Sequence, residues 1–262
     1  MIKALKSFGQ NFLINKNIRF QIVESANIAN KNVIEIGPGL GAITEILAGK
    51  VKSLVAYEID ERLYSYLREK NFDSNVTIIN GDFLESSIDF IEGKKVNIIG
   101  NIPYNITSPI IFKLLDNIEK IESATLMVQK EVADRIVASP NNKAFSKLSV
   151  IMQLFSNVKK LFNVKAKEFS PAPKVDSAVI KIDFIENKFL IENKREILEF
   201  VKFCFQFKRK MLFNNLLTKY AKETILNIFA KLNISKNARA ESIEAQTFLK
   251  LFLEFNKQKD HL

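Results

Sequence analysis

The stretch "VIEIGPGLGAIT", residues 33–44, runs an apolar segment straight into Gly37, Gly39 and Gly41 and then into residues suited to a helix. A strand that breaks on glycines and re-forms as a helix is how an open parallel sheet builds a binding loop. Working outward, "SLVAYEI" (53–59), "NVTIIN" (75–80), "KVNIIG" (95–100) and "ATLMVQ" (124–129) are short β-rich runs. "ITEILAGKV" (43–51) and "ERLYSYLREK" (61–70) between them carry helical spacing. This alternation predicts an α/β fold, a doubly wound parallel sheet with helices on both faces. "SVIMQLFSNVKKLFNV" (149–164) and "SAVIKIDFI" (177–185) read as further strands that complete or edge the sheet, joined by the proline-stiffened "FSPAPKVD" (169–176).

After Glu186 the pattern changes. In "REILEFVKFCFQF" (195–207) and "AQTFLKLFLEF" (245–255) apolar residues recur at three and four, which predicts a small helical C-terminal domain. No internal repeat or low-complexity linker marks the join. Periodicity alone puts it near residues 184–190, dividing the chain into 1–186 and 187–262.

The chain has 262 residues, 47% of them hydrophobic, enough for a sizeable core. No apolar run reaches the roughly 18 residues of a membrane span, and "MIKALKSFGQNFL" lacks the apolar core and cleavage site of a secretory signal. A cytoplasmic protein with no membrane partner is expected. One cysteine, Cys204, excludes an internal disulfide, and the one histidine, His261, stands next to the last residue. Zinc sites of the Cys/His kind and Ser-His or Cys-His nucleophilic systems are therefore excluded, and no metal is expected. The net charge of +10 has two readings, a polyanionic partner or a lysine-rich composition bias. Residues 186–262 hold 15 Lys/Arg against 9 Asp/Glu, and residues 1–185 hold 24 against 20, so the tail is the more basic part.

With Gly37, Gly39 and Ala42 followed by Glu58, the glycine loop satisfies the loose fingerprint of a dinucleotide site. Two residues oppose a pyrophosphate there: Glu35 would set negative charge beside the phosphates, and Pro38 removes an N–H from any anion nest. Both suit a cationic ligand instead. S-adenosylmethionine (SAM) has a sulfonium, an ammonium, a ribose for Glu58 and no phosphate. Asp82, in "NGDF" after the strand "VTIIN", is placed to accept from the adenine amine, with Phe83 or Ile59 to pack on the ring. Any one of these carboxylates alone reads as a helix cap or a surface charge. Three at successive strand ends point to a nucleoside cofactor.

"GNIPYNITSP" (100–109) follows the strand "VNII". Methyl transfer to the exocyclic N6 of adenine needs acceptors that hold its N–H groups and aim its delocalised lone pair at the methyl. The Asn101 side chain offers one acceptor. Ile102, held extended by Pro103, offers its carbonyl as a second, and Tyr104 gives a face for an unstacked base. No general base is needed.

These motifs together resemble the ribosomal RNA adenine N6-dimethyltransferase family. The resemblance runs along nearly the whole chain through "GQNFL" (9–13), "EIGPGLG" (35–41), "EID" (58–60), "GDF" (81–83), "NIPYNI" (101–106), "MVQKEVADRI" (127–136) and "FSPAPKVDSAV" (169–179). It implies a Rossmann-like SAM-dependent methyltransferase domain over 1–186 and a helical, basic RNA-binding domain over 187–262. It further implies that Asn11, Leu13, Gly37, Gly39, Glu58, Asp82 and Asn101 surround the cofactor, with Asn101 also facing the target N6. By the same resemblance Tyr104 and Phe169 sandwich the target base.

"FQFKRKMLFNNL" (205–216), "ARAESIEAQTFLKLF" (238–252) and "PKVDSAV" bring the chain nearer to the small-subunit members than to the large-subunit enzymes of macrolide resistance. The activity so implied is N6,N6-dimethylation of two adjacent adenosines in the 3'-terminal hairpin of 16S rRNA, by a monomer acting on 30S precursors. Two alternatives stand beside it, a 23S rRNA adenine methyltransferase and a non-catalytic nucleic-acid-binding relative. Asn15 stands where the family usually has Asp, Phe145 where Tyr is common, and "VKAKEF" (164–169) replaces a proline-rich approach to Phe169. The basic run Lys208, Arg209, Lys210 reads either as a solvated helix face or as a contact to RNA phosphates.

Overall fold

The computed structural model describes residues 2–88, 95–207 and 210–257. The chain forms two compact units, Met1–Ala133 with Lys159–Phe184, and Asp134–Val158 with Ile185–Leu262.

The first unit is built on strands β1 (Phe12–Leu13), β2 (Asn32–Ile36), β3 (Ser53–Glu58), β4 (Val76–Asn80), β5 (Val96–Asn101), β6 (Ile121–Gln129), β7 (Ser156–Val164), β8 (Phe169–Ser170) and β9 (Ser177–Phe184). Seven of them form one sheet in the order β4-β3-β2-β5-β6-β9-β7, while β1 and β8 pair separately and antiparallel. β4, β3, β2, β5 and β6 are mutually parallel, and β9 returns antiparallel to β6. The apolar residues of β2 and β5 are buried on both faces: Val33, Ile34, Ile98 and Ile99 are all at most 1% exposed. That explains their near-continuous hydrophobic reading. The connecting helices are α1 (Lys16–Ala26), α2 (Thr44–Ala48), α3 (Glu61–Arg68), α4 (Thr107–Asp116) and α5 (Lys130–Ile136).

The chain runs outward from β2 through β3 to β4 and then returns to β5 on the other side of β2. β2 and β5 therefore flank the point at which the strand order reverses, where open α/β sheets bind ligands beyond the carboxyl ends of their strands. The turn after β2 holds Gly37–Gly41, and the turn after β5 holds Ile102–Tyr104. Register brings them together, with Ile36 opposite Gly100.

In the second unit lie α6 (Lys147–Phe155), α7 (Lys188–Glu192), α8 (Lys194–Cys204), α9 (Leu212–Leu216), α10 (Lys222–Lys231) and α11 (Ala245–Lys257). Its core is aromatic: Phe200, Phe252 and Phe255 meet edge-on or tilted, and Tyr220 stacks on Phe255 at 4.1 Å between ring centres. Cys204 is buried here.

One expectation is corrected. Residues 149–155, read as the start of a strand, belong to α6; only Ser156–Val164 is extended. Ser149 Oγ accepts the Ser146 N–H at 3.0 Å and donates to the Arg135 carbonyl, which fixes the start of the helix. The run "SVIMQLF" is buried on nearly every side, so it shows neither period clearly. Asp134–Val158 groups with Ile185–Leu262 in the helical unit, where α6 packs on α8 and α11. Among the described residues, no helix is long and apolar enough to cross a membrane.

Candidate active site

A cavity of about 310 Å³ opens beyond the carboxyl ends of β2, β3 and β5, within the first unit. Asn11, Leu13, Glu35, Gly37, Gly39, Glu58, Ile59, Asp82, Phe83, Asn101, Ile102 and Tyr104 all line it. Its size falls within the usual range for small-molecule sites, roughly 300–1,000 Å³.

The glycine loop forms one wall. Gly37 and Gly39 take φ of +66° and +60°, a region that side chains disfavour. A Cβ on Gly37 would meet no atom within 4 Å and would project into open space, whereas one on Gly39 would press on Phe12 at 3.3 Å. Room is therefore kept at Gly37 for a ligand and at Gly39 for the N-terminal segment.

Glu58 ends β3 and is 4% exposed. Its two oxygens accept the Gly39 N–H at 3.0 Å and the Asp60 N–H at 2.9 Å, which ties the glycine loop to the end of β3. Burial raises its pKa above the ordinary carboxylate value, offset in part by these two bonds. Glu35, in β2, is buried and accepts from Thr44 Oγ1 at 2.7 Å. Burial pushes its pKa up to about 8, opposed by Thr44 and assisted by the Glu58 charge. Neutral in the free protein at pH 7, it would ionise readily beside a cation. Asp82 accepts the Leu84 N–H through Oδ1 at 2.8 Å. Of the two residues expected to pack on a ring, Phe83 is 4% exposed and turned edge-on to Tyr57, whereas Ile59 is 49% exposed. Ile59 presents the open apolar surface.

At the end of β5, Asn101 Nδ2 donates to the Asn11 carbonyl at 3.0 Å, leaving its side-chain oxygen as the acceptor. The Ile102 N–H donates to the Met127 carbonyl at 3.1 Å, so β6 holds this residue although it lies past the end of β5. Tyr104 is half-buried and its hydroxyl bonds to Ser177 Oγ at 2.7 Å. Burial raises the Tyr104 pKa above the ordinary phenol value, with the Ser177 bond opposing it.

Phe169 differs. Its Cα faces Leu13 in the β1/β8 pair, and its side chain is 4% exposed among core residues including Ile22, Val164 and Val179. It does not line the cavity. Tyr104 lines the cavity and Phe169 stands outside its lining, so the two rings expected to sandwich a base are not brought together along its wall. Lys208 and Arg209 lie outside the described residues; Lys210 Nζ sits 4.5 Å from the centre of the Phe207 ring.

Sequence reasoning missed the framework around these groups. Gln10 donates to Asp60 Oδ2 at 2.8 Å and accepts the Leu5 N–H at 2.7 Å, holding the N-terminal segment beside β3. Arg62 grips the same carboxylate and holds its pKa below the ordinary value. The only signal for Gln10 was its place inside "GQNFL". Among the described residues no group of three or more His, Cys, Asp or Glu is arranged to hold a metal ion.

The profile of the ribosomal RNA adenine dimethylase family matches residues 1–257. The chain belongs to the ribosomal RNA adenine dimethylase family. Among relatives of this dimethylase, a ribosomal RNA small subunit methyltransferase A from Metamycoplasma arthritidis is 50% identical over 249 residues, covering 95% of each chain. The protein of the same name from Mycoplasmopsis pulmonis is 46% identical, covering 97% of this chain and 99% of the other. Of solved structures, a dimethyladenosine transferase from Plasmodium falciparum superposes with a TM-score of 0.83 at 31% identity, over 95% of this dimethylase and 98% of its own chain. The 23S rRNA methyltransferase ErmE superposes at 0.76 with 27% identity, over 94% and 100%.

Proposed function

We propose that this dimethylase-family chain uses SAM to dimethylate N6 of two adjacent adenosines in the 3'-terminal hairpin of 16S rRNA, acting in the cytoplasm as a monomer on 30S precursors. The observation that carries the reading is the meeting, in one cavity at the switch point of the sheet, of the glycine loop, three strand-end carboxylates and the Asn101–Tyr104 turn.

SAM fits these residues: Gly37 leaves open space, and the carboxylates Glu35, Glu58 and Asp82 line the same cavity. Glu58 would take the ribose hydroxyls, Asp82 the adenine amine and Ile59 the ring face. Gly37 and Gly39 would flank the methionine part, with Asn11 and Leu13 along its edge. When bound, SAM supplies a methyl on a positively charged sulfur, which leaves as a neutral thioether. The chain's part is to aim the acceptor. The Asn101 side-chain oxygen and the Ile102 carbonyl accept hydrogen bonds from the two N–H groups of the target amine and turn its lone pair towards the methyl; the nitrogen, cationic once methylated, releases one proton to solvent. Tyr104 offers its ring to the unstacked base, steadied by Ser177. Residues 187–262, carrying much of the positive charge, would hold the rRNA backbone.

The test is to incubate the protein with methyl-labelled SAM and either 30S precursors or 23S rRNA, then map dimethyladenosine. Label confined to adjacent adenosines near the 3' end of 16S rRNA is expected. Label in 23S rRNA alone, or none in either, would overturn the reading.

A further inference from the structure

Lys113 has no visible motif in the sequence; in "IIFKLLDN" it reads as a charge on a helix surface. In the fold it reaches from α4 to the turn after β4. Its Nζ donates to the Leu84 carbonyl at 2.9 Å and to the Ser86 carbonyl at 2.6 Å, and lies 5.3 Å from the centre of the Phe83 ring. Three groups from one turn thus converge on a single ammonium, which has three N–H donors. The same turn is closed from inside by Asp82, whose Oδ1 takes the Leu84 N–H and whose carbonyl takes the Glu85 N–H at 3.1 Å. Ser86 closes it again on the Phe83 carbonyl, through N–H at 3.2 Å and Oγ at 2.8 Å. Burial lowers the Lys113 pKa and the nearby Asp82 charge opposes that, so the two groups feel one another across the turn. A partly desolvated ammonium is tolerated only where its donors are satisfied.

We propose that Lys113 is a positioning residue for adenine recognition, holding the Asp82–Ser86 turn in the shape that presents the Asp82 carboxylate to the cofactor's exocyclic amine. This rests on the assignment of Asp82 to that amine made above. α4 begins immediately after the turn that carries Asn101, Ile102 and Tyr104. One rigid helix therefore supports the reaction turn at one end and fixes the adenine turn nearer its other end. The spacing between the adenine pocket and the methyl-accepting pocket follows from the place of Lys113 along α4.

The experiment measures equilibrium binding, by calorimetry, of SAM and of its inosine counterpart, in which oxygen replaces the adenine amine. It uses the parent, Lys113→Met and Lys113→Arg. The parent is expected to favour SAM. In Lys113→Met, SAM affinity should fall about tenfold, the worth of one charge-assisted hydrogen bond, and most of the preference over the inosine counterpart should vanish. Lys113→Arg, which keeps a charged donor, should retain most of that preference. If Lys113→Met does not fold, Lys113→Gln takes its place. Unchanged affinities, or an equal loss for both ligands with the preference intact, would overturn the proposal and leave Lys113 a structural tether. If the parent itself shows no preference, the assignment of Asp82 fails, and the role of Lys113 with it.

Discussion

The side-chain amide of Asn101 points its nitrogen at the Asn11 carbonyl, so only its oxygen is left to hold a substrate N–H. Asn101→Ala should lower methyl transfer by roughly 10²–10³-fold, the usual loss for one preorganised polar group, while SAM binding by calorimetry weakens far less. Asn101→Asp should slow the second transfer more than the first. Its carboxylate cannot donate to Asn11, and after one methylation the target has lost an N–H that could pair with it. Rates of mono- and dimethyladenosine formation check this, and an unchanged ratio would count against it. Glu35 gives a pH dependence. Its carboxyl is buried and protonated up to about pH 8, against 4.5 when unperturbed. Stability of the free protein should therefore fall as pH rises from about 4.5 through about 8, because only the unfolded chain ionises freely across that window. Glu35→Gln should flatten that decline in thermal unfolding between pH 5 and pH 8.5. A cationic ligand favours the ionised form, so the parent's SAM affinity should climb with pH up to about 8, with proton release on binding. Glu35, Glu58, Asp82 and Asn101 were legible in the sequence because each stands at or near the end of an apolar run. Gln10 and Lys113 were not, because their partners lie far along the chain and no local pattern records such pairs.

At the scale of elements, the start of α1 is tied to a distant part of the chain through its cap. Asn15 caps this helix by accepting the Ile18 N–H at 3.3 Å, and its Nδ2 donates to Glu168 Oε2 at 2.7 Å. An aspartate would cap equally well but would face Glu168 with like charge. Asn15→Asp should therefore destabilise the protein by about 1 kcal/mol near pH 7, and thermal unfolding should show the difference shrinking as pH falls towards 4. The five parallel strands were readable because each is short, β-rich and bounded by helical spacing. β1 and β8 are two residues each, too short for any period, and Phe169 in β8 is buried in the core. The start of α6 was misread because burial on nearly all sides removes the polar face that marks a helix.

For the molecule as a whole, positive charge is the property that RNA would sense first. Lys208→Glu combined with Arg209→Glu should weaken binding to rRNA fragments at low salt. For every phosphate that these side chains no longer neutralise, the log–log dependence of affinity on salt should become shallower by about one, and SAM affinity should not change. Filter binding across a salt series would show it; an equal fall in SAM affinity would mean that the tail supports the fold instead.

The helical unit is assembled from two separated stretches of chain. As the polypeptide leaves a ribosome, α6 emerges with its apolar residues uncovered, while its partner α11 is still to be translated. At 5–20 residues per second that interval lasts roughly 5–20 s. Throughout it, even after α8 has followed, the side of α6 that α11 will cover stays open to any chaperone waiting at the exit tunnel.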